Sequence, residues 1–342
     1  MISETKEGVY VVKTLDFNKI GVIDKSLLDK VRPETIPNII PQQSIYHYTS
    51  IGGVKEILRS KKLWFTHIDY MNDRDEVIAG AEQLRKVGLE NYAGQYSEML
   101  KSEADQITKQ DHKAFVCCFS LKRDELSMWN YYTKDINNQG YNLGFDYKKL
   151  VVSLLKNNHE LHGCKFTFGK VDYCLSEDTY ATQMYHHSID NISEALLKFA
   201  SLISNEKFDD SILKKDKPEY PFVKYYGEEP IFRQVPSLDV LFLMKRPCFS
   251  VEEEFRLVIQ VTKDALGELE KKNKYKYRIS NGLLVPYLDL NIDTDSLTGA
   301  ALSPTVNQDL AERSIKDYCA FCNIDITALP EGIVKSKIPV RF

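Results

Sequence analysis

SIYHYTSIGGVKEILRSKKLWFTHIDYMNDRDE, residues 44–76, decides how this chain folds. Residues 45–49 alternate as a short strand, Gly52-Gly53 breaks it, and Val54, Ile57 and Leu58 recur at helical spacing. Residues 63–66 then read as a second strand before a polar turn. His47 sits mid-strand with Thr49 two positions on, so the strand period places an imidazole and a hydroxyl on one face. Such a pair can hold a sugar hydroxyl or an amide. The plainer reading is a strand histidine satisfied by neighbouring backbone.

Before this stretch, residues 1–43 read as an N-terminal arm, strand-like at 9–12 and punctuated by proline in RPETIPNIIPQQ. Beyond it, residues 44–342 read as one domain. A helical stripe covers 76–109, and FVCCFSL (115–121) is apolar enough for a strand buried on both faces. DELSMWNYYT is a short aromatic helix, YNLGFDY a strand, 148–157 a helix, KFTFGKVDYC a strand and 188–205 a helix. SLDVLFLMKRP reads as a helix stopped by Pro247, VEEEFRLVIQV, NGLLVPYLDL and ALSPTVN as strands, 310–322 as the last helix, and 324–328 as a short strand. The polar, proline-containing segment around 207–230 is expected to be a mobile insertion covering a cleft. Irregular interleaving, no repeat and no Gly-rich phosphate loop give an α+β fold with a central mixed or antiparallel sheet flanked by helices.

With 43% hydrophobic residues and a net charge of −4, the chain has no basic excess for broad nucleic-acid binding. No apolar run is long enough to span a membrane, and the start lacks a secretory pattern, so a cytoplasmic location is expected. Seven cysteines without a framework fit reduced thiols. Cys319 and Cys322 fall within an amphipathic helix, and His159, His162 and Cys164 lack a completing ligand, so no metal site is expected.

In VEEEFRLVIQV, alternation places Glu252, Glu254 and Arg256 on one face and Val251, Phe255, Leu257 and Ile259 on the other. The charges are either functional or an exposed ladder. Ser127, Trp129, Tyr131 and Tyr132 offer an aromatic platform beside hydroxyls, although Trp129 equally suits a core. The acidic turn with Asp69, Asn72, Asp73, Asp75 and Glu76 lacks the glycine and twelfth-position glutamate of an EF-hand, which leaves helix capping by Asn72 or Asp73.

Taken in order, YHYTS, LWFTHIDYMND with Glu76, CFS followed by LSMW, GFD, EEEFRLVI, LLVPY and SKIPVR resemble the bacterial "domain of unknown function 2971" family over about residues 44–341. Ser303-Pro304 departs from the Gly-Pro turn of that pattern. More distantly, HYT, a short helix and a strand led by leucine are similar to histidine-type ADP-ribosyltransferases. This second resemblance implies an ADP-ribosyltransferase-like core and NAD as co-substrate. It also implies either a macromolecular acceptor, protein or nucleic acid, or hydrolysis of NAD; the bacterial character of the first family suggests a toxin or anti-phage effector. His47 and Glu254 then take the catalytic roles, and Tyr48, Thr49, Asn72, Trp129, Tyr132, Glu252 and Arg256 the substrate-binding ones. Two other readings stay open. One is a metal-dependent nuclease or phosphodiesterase using Asp69, Asp73, Glu76, Glu252 and Glu254; the other is a non-catalytic ligand-sensing or partner-binding module.

Overall fold

The computed structural model describes residues 2–4, 10–12, 21–71, 79, 113–133, 140–173, 199–200, 202–205, 223–226, 229–232, 242–280, 282–305 and 307–339. Their strands are β1 (Ile2–Glu4), β2 (Tyr10–Val12), β3 (Ser44–Ser50), β4 (Lys62–His67), β5 (Lys113–Ser120), β6 (Gly140–Asp146) and β7 (Lys165–Lys170). The later strands are β8 (Val223–Tyr226), β9 (Glu229–Phe232), β10 (Glu254–Val261), β11 (Tyr275–Ser280), β12 (Leu283–Asn291), β13 (Leu297–Leu302) and β14 (Gly332–Lys335). The α-helices among these residues are α1 (Ile51–Ser60), α2 (Leu126–Tyr132), α3 (Tyr147–Asn157), α4 (Lys263–Lys271) and α5 (Gln308–Phe321).

Among the described residues, ten strands form one sheet in the order β11-β12-β4-β5-β3-β6-β13-β14, with β10 pairing both β5 and β7. Only β13 and β14 pair in parallel, so the sheet is mixed and largely antiparallel, and the fold is α+β as the sequence implies. Two separate ribbons, β1-β2 and β8-β9, lie outside it.

Local chemistry fixes the helix starts. Ser50 Oγ accepts from Gly53 N at 3.3 Å and caps α1, so Gly52-Gly53 forms the first turn of the helix and not a break. A side chain at Gly53 would collide with Thr49. Asp146 closes β6 and caps α3 through Lys148 N and Lys149 N at 3.0 and 3.2 Å. Helices α1, α3, α4 and α5 bury Val54, Leu58, Leu154, Leu269 and Ile315 in one core with Ile45, Phe119 and Leu257 from the sheet. Helix α2 takes the opposite face, where Met128 and Trp129 pack against Tyr48.

The sheet carries a seam. Strands β3 and β4, joined by α1, both pair with one edge of β5, through Tyr46↔Ser120 at one end and Thr66↔Val116 and His67↔Phe115 at the other. Between these contacts residues 117–119 have no strand partner on that edge, while β10 pairs the other edge along its whole length.

Several sequence expectations change. Ile23, Leu28, Val31 and Ile36 lie in the main core, so residues 21–43 are part of the domain and not an arm; their apolar residues are too widely spaced between prolines to show a period. Strand β10 begins at Glu254, because Pro247–Glu252 is a 3-10 helix and Glu253 is left-handed at φ 39°. Residues 242–246 carry no helix, and Met244 forms a parallel bridge with Asp172. The short strand expected at 324–328 lies instead at Gly332–Lys335. The 76–109 helix, most of the 188–205 helix and the 207–230 insertion outside β8 and β9 fall beyond the described residues.

Candidate functional site

A cavity of about 700 Å³ opens at the seam, lined from β3, α1, β4, β5, α2, β10 and β11. That volume is the size of a pocket for a small organic ligand. Because the strands part here, His47 and Thr49 border the same space as Glu254 and Arg256. Tyr46 and Glu254 are both register partners of Ser120, so β3 and β10 are separated by β5 alone, roughly 10 Å from backbone to backbone.

His47 fills the gap that the seam leaves. Its Nδ1 lies 2.9 Å from the Cys118 carbonyl oxygen on the unpaired edge of β5. A carbonyl can only accept, so Nδ1 carries the proton and Nε2 remains an acceptor. Burial pushes the imidazole below its ordinary value, with Arg278 adding to the effect and the Cys118 bond opposing it. The ring is therefore neutral at pH 7.

On the opposite wall lies a buried charge cluster. Glu254 receives Arg256 Nε on Oε1 at 2.8 Å and Arg256 Nη2 on Oε2 at 3.0 Å, and Lys245 Nζ reaches the same Oε2 at 3.0 Å. Lys245 also bonds Glu252 Oε2 at 2.7 Å, and Tyr132 OH donates to Glu252 Oε1 at 2.7 Å. Lys245, Glu254 and Arg256 are 4%, 4% and 2% exposed. Burial alone would raise the Glu254 carboxyl, but Arg256 and Lys245 overcome it and hold the group at about 2. Burial works against Lys245 as well, and the two carboxylates more than offset it, keeping the ammonium charged. Burial raises the Cys118 thiol well above its usual range, so it stays protonated and donates to Glu254. Two anions face two cations, and neither carboxylate is left without donors. The pair is accordingly poorly suited to a divalent cation, which needs free carboxylate oxygens.

The structure brings His47, Thr49, Tyr132, Glu252, Glu254 and Arg256 to one cavity. The charges form a buried network and not an exposed ladder. Trp129 does not take the expected stacking role: it is buried against Tyr48 at 4.6 Å between centroids, with Nε1 bonded to Asp124 at 2.8 Å. Tyr48 contributes to the lining, but its hydroxyl is engaged by Lys122 O and Glu125 N, so it anchors the 122–125 loop. Asn72, with Asp73 and Glu76, lies outside the described residues. Asp69 contacts His67 at 3.7 Å with its side chain 54% exposed, and it does not line the cavity that Glu252 and Glu254 border. Sequence reasoning missed Lys245, Cys118 and Arg278. For Arg278 a signal existed, since YKYRIS alternates and puts Lys276 and Arg278 on one face.

These features define an α+β protein with a ligand-sized cavity in a sheet seam, walled by a neutral histidine and a buried carboxylate–cation network. A family model described as "Protein of unknown function (DUF2971)" matches residues 128–257, so over this segment the chain is similar to that family. The matched segment includes Tyr132, Lys245, Glu252, Glu254 and Arg256 but not His47. No curated protein and no solved structure matches the chain.

Proposed function

We propose that the chain is an NAD-consuming enzyme of ADP-ribosyltransferase type, passing ADP-ribose to a protein or nucleic-acid acceptor or to water. The observation that carries this reading is the meeting of His47, Thr49, Tyr132, Glu252 and Glu254 around one cavity of about 700 Å³. NAD supplies a nicotinamide–ribose bond whose cleavage leaves positive charge on the sugar and releases neutral nicotinamide. The acceptor oxygen closes on the same carbon and gives its proton to solvent.

In this reading His47, fixed by Cys118 O, offers Nε2 to a ribose hydroxyl, Thr49 adds a second polar contact, and the Tyr132 ring flanks the nicotinamide. Glu252 and Glu254 act as preorganised charges at the developing cation. A carboxyl held at about 2 is a weak base at neutral pH, so Glu254 is not the group that takes a proton. Among the described residues no helix is long and apolar enough to cross a membrane, and the six described cysteines are free thiols. Both observations are in keeping with a cytoplasmic toxin or anti-phage effector, the setting proposed for this activity.

The saturation of Glu254 by Arg256, Lys245 and Cys118 favours one second reading, a ligand-sensing module without turnover. Incubating the purified chain with NAD in EDTA, with and without cell extract, separates the two. Nicotinamide release supports the enzyme; NAD binding without release supports the sensor.

A further inference from the structure

We infer that the part of the cavity between Arg278 and His47 recognises the phosphates of a nucleotide. Arg278 lies on β11 and borders the cavity with Lys62 and Thr66. Its Nη2 donates to Thr66 Oγ1 at 3.0 Å, and its guanidinium lies 5.6 Å from the centre of the Trp64 ring. Its Nε is buried and has no acceptor among the described residues. Nor does any carboxylate among those residues make an ion pair with Arg278; Glu56, which lines the same cavity from α1, is not a partner.

A buried charged N–H without an acceptor destabilises a fold, and native structures seldom keep one unless something else completes it. The surroundings indicate what that is. Asp289 accepts from both Lys62 at 3.0 Å and Lys276 at 2.6 Å, so two ammonium groups share one carboxylate, and Lys62 lines the same cavity as Arg278. Across the space, Arg278 is close enough to His47 to help depress its protonation. An anion there would compensate the guanidinium. Arg278, Thr66, Thr49 and Lys62 all line the cavity and all carry donors, and a phosphoryl group, with its many acceptor oxygens, can take more of them than a planar carboxylate. The Trp64 ring beside the guanidinium and the Thr66 bond both restrain Arg278 at the cavity wall. In the dinucleotide reading the group bound here is the pyrophosphate. The inference deepens that reading in naming the subsite, but it stands on Arg278 and its neighbours, not on Glu254.

The test uses the full chain with three probes, ADP, inorganic pyrophosphate and uncharged adenosine, followed by calorimetry and by thermal midpoint. ADP and pyrophosphate are expected to bind and to raise the midpoint, whereas adenosine does neither. Arg278→Gln is expected to weaken ADP roughly tenfold to a hundredfold, the range for a hydrogen bond to a charged group, without lowering the midpoint of the unliganded protein. Arg278→Lys keeps the charge, loses the fork and falls between them; with Thr66→Val, it replaces the Gln variant should that one fail to fold. Equal ADP affinity in wild type and variants, or no binding of ADP and pyrophosphate at millimolar concentration, overturns the inference. ADP binding that depends on Arg278 in a protein releasing no nicotinamide upholds the phosphate site and removes the enzyme reading. Nicotinamide release with ADP affinity indifferent to residue 278 does the reverse.

Discussion

Arg256 grips Glu254 from two positions along the same strand, its Nε and Nη2 donating to both carboxylate oxygens at 2.8 and 3.0 Å. Both side chains project from β10 on the face opposite Phe255 and Leu257, and Lys245 completes the group from outside the sheet. A fork closed on a carboxylate in a buried site has a fixed geometry, which is what a cavity wall requires.

Arg256→Ala should therefore destabilise the fold by roughly 3–5 kcal/mol, because removing one partner leaves a buried charge uncompensated. The partly exposed Lys122, 3.3 Å from Glu253 and 3.5 Å from Glu125, is the contrast: Lys122→Ala should change stability by less than about 1 kcal/mol. Urea unfolding of both variants beside the wild type measures the difference, and equal losses would mean the cluster is solvated.

Acidification should unfold the protein in two windows. His47 is held below its ordinary value of 6.5, so the unfolded chain binds the extra proton first and stability falls as pH drops below about 6.5. The Glu254 contribution is complete above 4.5, the ordinary carboxyl value, and is lost as pH falls from there toward about 2. Thermal midpoints of wild type, His47→Gln and Glu254→Gln across pH 3–8 resolve the two. His47→Gln should reduce the upper window, to which His67, also held below its ordinary value by burial, adds its own part, and should leave the lower one.

Legibility followed the range of the interaction. His47 with Thr49 and Glu254 with Arg256 could be paired from the sequence because a strand repeats every second residue. Glu252 shared their face only by coincidence, since left-handed Glu253 interrupts the strand before it. Lys245 was hidden, because residues 242–246 follow neither a helical nor a strand period. The seam was not legible either: it depends on Tyr46 meeting Ser120, a pairing across more than seventy residues that no local pattern announces. In α2, Trp129 and Tyr132 were indistinguishable by composition; in the fold Trp129 is buried against Tyr48, whereas Tyr131 and Tyr132 line the cavity.

Tyr132 supplies both a ring and a hydroxyl, and two substitutions separate them. Tyr132→Phe removes the donor to Glu252 Oε1, costing roughly 1.5–3 kcal/mol of stability as for a hydrogen bond to a charged group, but keeps the ring. Tyr132→Ala removes both and should weaken NAD by up to about tenfold, the scale of an aromatic contact. Comparable NAD affinities for the Phe and Ala variants would show that the ring does not touch the ligand.

The most direct measurement is the rate of nicotinamide release from NAD at neutral pH, in EDTA and with extract supplied as acceptor, for wild type and His47→Ala. Release by the wild type is expected, with a loss on the order of 100-fold in the variant, the size seen when a preorganised polar contact to the reacting group is removed. No release by the wild type, or release that His47→Ala leaves unchanged, would contradict that expectation.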